Sequence, residues 1–288
     1  MISITGADNL HKIVVLNPKG GCGKTTLATN LASYYALRGP PPTLIDCDPQ
    51  GFSLGWLDKR SRERPPIYGL RGYREQFDAT DVLRLEVNPE SSIAIIDLPA
   101  AISYERLHVF THLADSLLLP VQPSDVDVYS ATRFIGALLL DVQLDRSERR
   151  LAIVANRVRS ATRSYQMLMR FLTSLKIPVI ATLKDSQSYV QAAAQGIGVC
   201  EMPPYRLQEE LAQLEAIAGW LNRRRAITKA QREAMIARAA YDHAQNRAFR
   251  GGDAVADWLQ AEREVDSRLD DNDDARRDTH GGDSNRQT

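Results

Sequence analysis

The chain has 288 residues, of which 43% are hydrophobic and 25% charged, the mix of a globular protein with a full core. Its 36 acidic and 36 basic residues balance, which excludes attraction to nucleic acid or membrane through overall charge and leaves only a local patch for that purpose. Three separated cysteines without a C-x-x-C pair argue against a disulfide framework or a zinc site. Without a signal-peptide pattern or a membrane-length apolar run, we expect a cytoplasmic protein.

Short β-branched runs alternate with longer amphipathic segments along most of the chain. The run KIVVLN is predicted to be a buried strand, followed by a glycine-rich stretch and a helix that ends before Gly39. Further strands are predicted at 43–46, 93–97, 116–121, 151–156 and 177–183, and helices at 103–112, 126–144, 163–175 and 186–195. This alternation predicts an α/β fold, a doubly wound and mostly parallel sheet. The pattern gives no assignment for residues 58–90.

The C-terminal part of the chain has a different character. Residues 10–226 are predicted to form the sheet domain, closed by a helix with a leucine-rich stripe. Two apolar stripes separated by RGG then predict an α-helical hairpin at 229–269, and the polar segment 270–288 is predicted to be a disordered tail. The hairpin resembles a small bacterial domain of unknown function with a D-W-L-x-A-E core. That resemblance implies either a separable module or a packing appendage.

The segment NPKGGCGKTT lies between the first predicted strand and the first predicted helix. In this arrangement backbone N–H groups and a helix N-terminus surround phosphate oxygens. Lys24 is placed to reach the β- and γ-phosphates of a nucleotide, and the Thr25 hydroxyl is placed to ligate Mg²⁺. The residues predicted to bind nucleotide here are Gly20, Gly21, Cys22, Gly23, Lys24, Thr25 and Thr26.

The pattern K-G-G-x-G-K-T-T departs from the ordinary phosphate loop, because Pro18 stands where that loop requires glycine. It resembles the deviant phosphate loop of the ParA/MinD family of ATPases. LIDCDPQG (44–51) resembles the first switch of that family, and IAIIDLPA (93–100) resembles its Walker B strand and second switch. The resemblance implies a P-loop NTPase fold, ATP and Mg²⁺ as cofactors, and slow, partner-stimulated hydrolysis of ATP to ADP and phosphate.

The resemblance also implies roles for the charged residues. Lys19 matches the lysine that, in the family, crosses the interface of an ATP-sandwich dimer to the partner's phosphates, so it implies a homodimer in the ATP state. Asp48 matches the position that orients the attacking water. Asp46 and Asp97, at strand ends, are placed to hold Mg²⁺ through its water shell. The predicted catalytic residues are Lys19, Lys24 and Asp48, and the predicted metal ligands are Thr25, Asp46 and Asp97.

Two sets of polar residues have alternative interpretations. Asn156, at the end of a predicted strand, either bonds the adenine edge, as in relatives, or only satisfies loop backbone. Arginines after that strand and at the end of the last core helix either form a DNA-phosphate patch across a dimer or complement a helix dipole. They are Arg157, Arg159, Arg163, Arg223, Arg224 and Arg225.

Three functions are open to such an ATPase. The leading hypothesis is ParA-like positioning, in which an ATP-bound dimer binds nucleoid DNA without sequence specificity and a cargo-bound protein stimulates hydrolysis and release. The cargo would be a plasmid, a chromosome region or a protein compartment, as for the carboxysome-positioning McdA proteins. MinD-like membrane binding is disfavoured because the chain ends in a polar, acid-rich tail. The third function is that of a metabolic or metal-insertion ATPase of the same fold.

Overall fold

The computed structural model of the chain describes residues 2–7, 9–73, 83–142, 144, 150–159, 163–174, 177–203, 205, 207–225, 229–247 and 253–265. The predicted polar tail, 270–288, lies outside these residues. The chain divides into two compact units, Met1–Arg224 and Arg225–Thr288. Within the described residues, no helix is long and apolar enough to cross a membrane.

A seven-stranded parallel sheet forms the centre of the first unit. Its strands are β2 (His11–Val15), β3 (Thr43–Asp46), β4 (Tyr68–Arg71), β6 (Ile93–Asp97), β7 (Ser116–Val121), β8 (Leu151–Val158) and β9 (Val179–Lys184). They lie in the order β4-β3-β6-β2-β7-β8-β9, and a separate parallel pair consists of β1 (Ile2–Thr5) and β5 (Leu83–Glu86). The chain passes from β2 to β3 toward one side of the sheet and from β6 to β7 toward the other side. The neighbours β2 and β6 therefore form the switch point of the sheet, where doubly wound folds bind ligands.

Helices cover both faces of the sheet, because its strands present apolar side chains on both sides. Along β2, Ile13 and Val15 belong to one buried cluster and Val14 to the other. One face packs against α1 (Lys24–Ala36), α2 (Phe52–Leu57), α6 (Gln187–Ala194), a 3₁₀ turn (Val199–Glu201) and α7 (Gln208–Arg225). The other packs against α3 (Tyr104–Leu113), α4 (Asp125–Leu140) and α5 (Arg163–Ser174). The predicted fold class is confirmed.

The segment 58–90, which the pattern left unassigned, contains β4 and β5. Strand β4 lies at the edge of the sheet and has Gly69 at its centre. A Cβ at this glycine would lie 2.7 Å from Leu57 Cδ2 and 2.9 Å from Leu54 Cδ2. Glycine therefore lets α2 pack directly on β4, and the same residue weakens the strand pattern in the sequence.

A buried ion pair joins the end of α2 to the 3₁₀ turn. Arg60 donates two hydrogen bonds of 2.7 Å to the Glu201 carboxylate, and the exposed fractions of their side chains are 4% and 0%. The indole N–H of Trp56 donates to the Ile197 carbonyl at 3.3 Å. These bonds fix the C-terminal end of α2 to the body of the first unit.

The described residues of the second unit form two helices, α8 (Lys229–Asn246) and α9 (254–265), within the predicted hairpin. Ile236, Ala261 and Val265 form its small buried cluster. An Arg247–Asp257 ion pair with two 2.5 Å contacts adds to this packing. The exact bounds of the two domains stay a prediction.

Candidate nucleotide-binding site

The three predicted motifs meet at the carboxyl edge of the sheet. Strand β6 lies between β2 and β3, and the register places Asp97 beside both Val15 and Asp46. The loop of residues 17–23 leaves the end of β2 at this edge and enters α1 at Lys24. Parallel pairing therefore gathers the phosphate loop and both aspartates at one place.

The path of the loop requires two of its glycines. Gly21 and Gly23 have φ of 73° and 99°, a left-handed conformation that costs glycine little. A Cβ at Gly23 would also lie 2.0 Å from Asn156 Nδ2. Gly20 and the buried Cys22 complete the loop, and Thr25 and Thr26 lie in the first turn of α1.

Asn156, at the end of β8, holds this loop. Its Nδ2 donates to the Cys22 carbonyl at 2.7 Å, and its Oδ1 accepts a 2.9 Å hydrogen bond from the Arg157 amide. Arg157 has φ of 51°, the one positive value found at a non-glycine position in the described chain. These are the contacts of a residue that satisfies loop backbone, and the alternative contact with adenine stays a prediction.

Two further residues, which the sequence analysis missed, fix the loop against β7. Asn17 donates from Nδ2 to the Pro120 carbonyl at 2.7 Å and accepts the Lys19 amide at 2.9 Å. Gln122 donates from Nε2 to the Gly21 carbonyl at 2.9 Å. These contacts hold the loop to the end of β7. Asn17 is the first residue of the segment NPKGGCGKTT, but nothing in the sequence indicates what it contacts.

Lys24 is buried inside the loop, with 8% of its surface exposed. Its Nζ donates to the carbonyl oxygens of Asn17 at 3.0 Å and Lys19 at 3.1 Å. Two carbonyl dipoles partly compensate for the lost hydration of a buried ammonium group. Lys24 therefore stands at the centre of the loop, where a lysine would meet phosphate oxygens.

Lys19 forms an ion pair with Asp127, in the first turn of α4. The Lys19 Nζ–Asp127 Oδ2 distance is 2.5 Å, and the exposed fractions of the two side chains are 32% and 4%. Ser124 donates from its hydroxyl to the same Oδ2 and accepts the Asp127 amide at 3.2 Å, which caps α4. Asp127 could not be predicted from the sequence as the partner of Lys19, because Ser-x-x-Asp before a helix indicates only a cap.

Asp97 fits a cation ligand. Its side chain is 1% exposed, and neither carboxylate oxygen has a hydrogen-bond partner in the described chain. Burial raises the pKa of Asp97 to about 7; the nearby Thr25 hydroxyl and Lys24 ammonium lower it, and Asp46 raises it. An unpaired buried carboxylate is costly, and a hard divalent cation is the partner that would neutralise it. Asp97 and the Thr25 hydroxyl therefore fit a Mg²⁺ site.

Asp46 has a different environment from Asp97. It is fully buried and accepts three 3.0 Å hydrogen bonds from the backbone amides of Asp48, Ser53 and Leu54. Its carboxylate thus folds the first-switch loop and caps α2. Metal ligation by Asp46 stays a prediction. Asp48 is partly exposed within this loop, and its Oδ1 accepts the Gln50 amide at 3.0 Å.

The predicted DNA-binding arginines fall into two groups. Arg157 and Arg159 are exposed at the end of β8, on the carboxyl edge of the sheet, and Arg159 pairs with Asp185 at 2.9 Å. The exposed Arg223 lies near the C-terminal end of α7. The side chains of Arg163, Arg224 and Arg225 lie outside the described residues.

These two groups lie at opposite ends of the parallel strands. Arg157 and Arg159 are at the carboxyl ends, and Arg223 is toward the amino ends. Helix α7 starts near the carboxyl edge, where Glu209 pairs with Lys184 at the end of β9. Near its other end, Asn222 accepts a 3.2 Å hydrogen bond from Tyr35 at the end of α1. The 13 residues of α1 span about 20 Å at 1.5 Å per residue. Arg157 and Arg223 therefore do not form one patch within a subunit.

Comparison with known proteins gives matches for both units. Residues 13–199 match the family described as CobQ/CobB/MinD/ParA nucleotide binding domain, and residues 231–267 match a protein of unknown function, DUF2934. The chain is 27% identical to maintenance of carboxysome distribution protein A of Halothiobacillus neapolitanus over 66% of this chain and 87% of the relative. It is 31% identical to Protein ParA of Rhizobium radiobacter over 54% of this chain and 68% of the relative.

Among solved structures, the chain resembles a putative plasmid partition protein from Borrelia burgdorferi bound to AMPPNP. The TM-score is 0.58 at 14% identity, over 73% of this chain and 99% of the other. This likeness concerns the fold. The family match begins in β2 and ends in the 3₁₀ turn, so it includes the loop and both aspartate-bearing strand ends.

Asp97 is expected to make the stability of the nucleotide-free protein depend on pH. Its folded pKa of about 7 exceeds the unfolded value of about 3.9, so the unfolding free energy falls as pH rises between these values and levels off above them. Asp97→Asn removes this loss. Urea unfolding in chelator should show the variant gaining on wild type between about pH 4 and about pH 7, by at most about 1.4 kcal/mol per pH unit. Asp58→Asn, at an exposed position, is the control, and parallel pH profiles for Asp97→Asn and wild type would contradict the prediction.

Proposed function

Because the chain belongs to the CobQ/CobB/MinD/ParA nucleotide-binding domain family, we propose that it is a ParA-like positioning ATPase. It binds ATP with Mg²⁺, forms a homodimer in the ATP state and hydrolyses ATP slowly. The observation that carries the proposal is the presence of two lysines in the loop, of which Lys24 is buried at the centre and Lys19 is partly exposed. A single nucleotide in its own loop requires only the first of them.

Each charged residue at the carboxyl edge then has a distinct task. Lys24 and the loop amides bind the β- and γ-phosphates. Thr25 and Asp97 hold Mg²⁺, which supplies charge neutralisation and a template for the phosphate oxygens when bound. Asp48 orients the attacking water from the first-switch loop. Lys19 contributes its charge to the partner's nucleotide, where negative charge spreads over the transferred phosphoryl group.

The positioning role rests on the relatives. A maintenance of carboxysome distribution protein and a ParA protein are similar to this chain over most of their length. We propose that the ATP-bound dimer binds nucleoid DNA without sequence specificity in the cytoplasm. A protein bound to the cargo stimulates hydrolysis and so releases the dimer. The cargo is a plasmid, a chromosome region or a protein compartment.

Replacing Lys24 tests nucleotide binding. Lys24→Ala is expected to weaken ATP binding at least about ten-fold, because a charge-assisted hydrogen bond is worth about 1.5–3 kcal/mol. Titration calorimetry with Mg·ATP measures the affinity. Lys12→Ala is the control, because Lys12 lies on β2, the strand that leads into the loop, and pairs with Asp115 instead of contacting the loop. Unchanged ATP affinity in Lys24→Ala would remove the basis of the proposal.

Lys19 and Asp48 are expected to fail differently when each is replaced by alanine. Asp48→Ala keeps every cation near the phosphates and loses only the group that orients water, so it should bind ATP and stay dimeric. Lys19→Ala should bind ATP but dimerise poorly, because a symmetric dimer loses two charge-assisted contacts, each worth about 1.5–3 kcal/mol. Sedimentation velocity with ATP distinguishes them. Equal dimerisation of the two variants would mean that Lys19 does not act between subunits.

DNA binding is expected to require ATP and to weaken steeply with salt, because contacts with phosphates release counterions. Gel retardation of unrelated duplexes measures both properties. Since the arginines lie at opposite edges of the sheet, the charge reversals are made in two sets, Arg157→Glu with Arg159→Glu, and Arg223→Glu with Arg224→Glu and Arg225→Glu. The set that binds DNA should lower the affinity for all sequences alike. No ATP-dependent retardation of wild type at low salt would contradict nucleoid binding.

A further inference from the structure

The ion pair between Lys19 and Asp127, which we term the cis pair, engages the lysine within its own subunit. We propose that Asp127 holds Lys19 in the nucleotide-free chain, and that the cis pair must open before Lys19 can serve a partner subunit. Asp127 is thus a positioning residue that opposes dimerisation. The inference rests on the proposed function for the role of Lys19, and it adds the device that controls that role.

The environment of Asp127 makes opening the cis pair costly. Its side chain is 4% exposed, and among the described residues Lys19 supplies the cation that lies within ion-pair distance of the Asp127 carboxylate. Oδ2 accepts from both Lys19 and the Ser124 hydroxyl, whereas Oδ1 is buried without a hydrogen-bond partner in the described chain. A buried carboxylate that loses this cation keeps only the Ser124 hydroxyl, a neutral donor that compensates its charge incompletely. Departure of Lys19 therefore needs an opposing gain.

Asp127 also lies close enough to influence the phosphate loop. Burial raises the pKa of the Cys22 thiol, and the negative charge of Asp127 adds to that rise while Lys24 opposes it. Asp127 is therefore an internal anion beside the loop, and it neutralises Lys19 as a phosphate group would. While the cis pair is closed, the Asp127 carboxylate competes with any other anion for the Lys19 ammonium group.

An exchange of anions follows from this arrangement. A partner subunit that carries ATP offers Lys19 phosphate oxygens in place of the Asp127 carboxylate. A partner without nucleotide offers no such replacement, so the cost of opening the cis pair is not recovered. The cis pair would therefore make dimerisation depend on nucleotide in the facing subunit, beyond any effect of nucleotide on loop shape.

Dimerisation tests the inference directly. In the Asp48→Ala background, Asp127→Asn keeps the shape of the side chain but removes the charge that retains Lys19. With ATP it should dimerise at about a hundred-fold lower protein concentration than its parent, because neither subunit of the symmetric dimer then has to open a cis pair and each charge-assisted contact corresponds to about ten-fold. Asp127→Glu, which keeps the charge, should stay near the parent. Asp141→Asn, at the exposed other end of α4, is the control. Equal or weaker dimerisation of Asp127→Asn would overturn the inference.

Chemical labelling tests the cis pair without any dimer. An amine-selective acylating reagent, read by peptide mass spectrometry, reports the reactivity of Lys19 in nucleotide-free protein. Asp127→Asn should raise labelling of Lys19 several-fold and leave the exposed Lys59 unchanged. Equal labelling of Lys19 in wild type and Asp127→Asn would overturn the inference. Failure of the Asp48→Ala parent to dimerise with ATP would instead count against the proposed function, and labelling would still decide whether the cis pair retains Lys19.

Discussion

The burial of charge at one edge of the sheet is the constraint on which the site depends. Lys24, Asp46, Asp97 and Asp127 are each less than a tenth exposed, and a buried charge needs compensation. Backbone amides compensate Asp46, loop carbonyls compensate Lys24, and Lys19 compensates Asp127. Asp97 has no hydrogen-bond partner in the described chain. Three of these charges are thus compensated by the fold, whereas burial raises the pKa of Asp97 to about 7.

This difference separates residues that build the site from residues that respond to a ligand. The backbone contacts of Asp46 are needed to form the first-switch loop, so any change there alters the fold before it alters chemistry. Asp127, by contrast, is compensated by the side chain of Lys19, which can move. Its contact with Asp127 links the phosphate loop to the start of α4, so the charge of the loop is coupled to an element that the phosphate motif does not include.

The sequence allowed the sheet, the positions of most of its strands along the chain and the phosphate loop to be predicted, because β-branched runs and glycine spacing are local signals. Strands 43–46, 93–97 and 116–121 have the predicted bounds. Strand β4 was missed because Gly69, which its packing requires, weakens the pattern. The partner of Lys19 lies 108 residues away, and only tertiary structure brings them together. The arginine groups also could not be located on the sheet from the sequence, because the direction of α7 across it is not a local property.

The anchoring of α2 by Arg60 and Glu201 limits how the first switch can move. Before the loop, Asp46 lies in β3. After the loop, the backbone amides of Ser53 and Leu54 donate to the Asp46 carboxylate, and the Arg60–Glu201 ion pair holds the far end of α2 to the 3₁₀ turn. These contacts oppose an outward swing of the loop. Rotation of the few peptide planes around Asp48 is the motion that leaves these contacts intact. Such a rotation would redirect the Asp48 carboxylate while β3 and α2 stay in place.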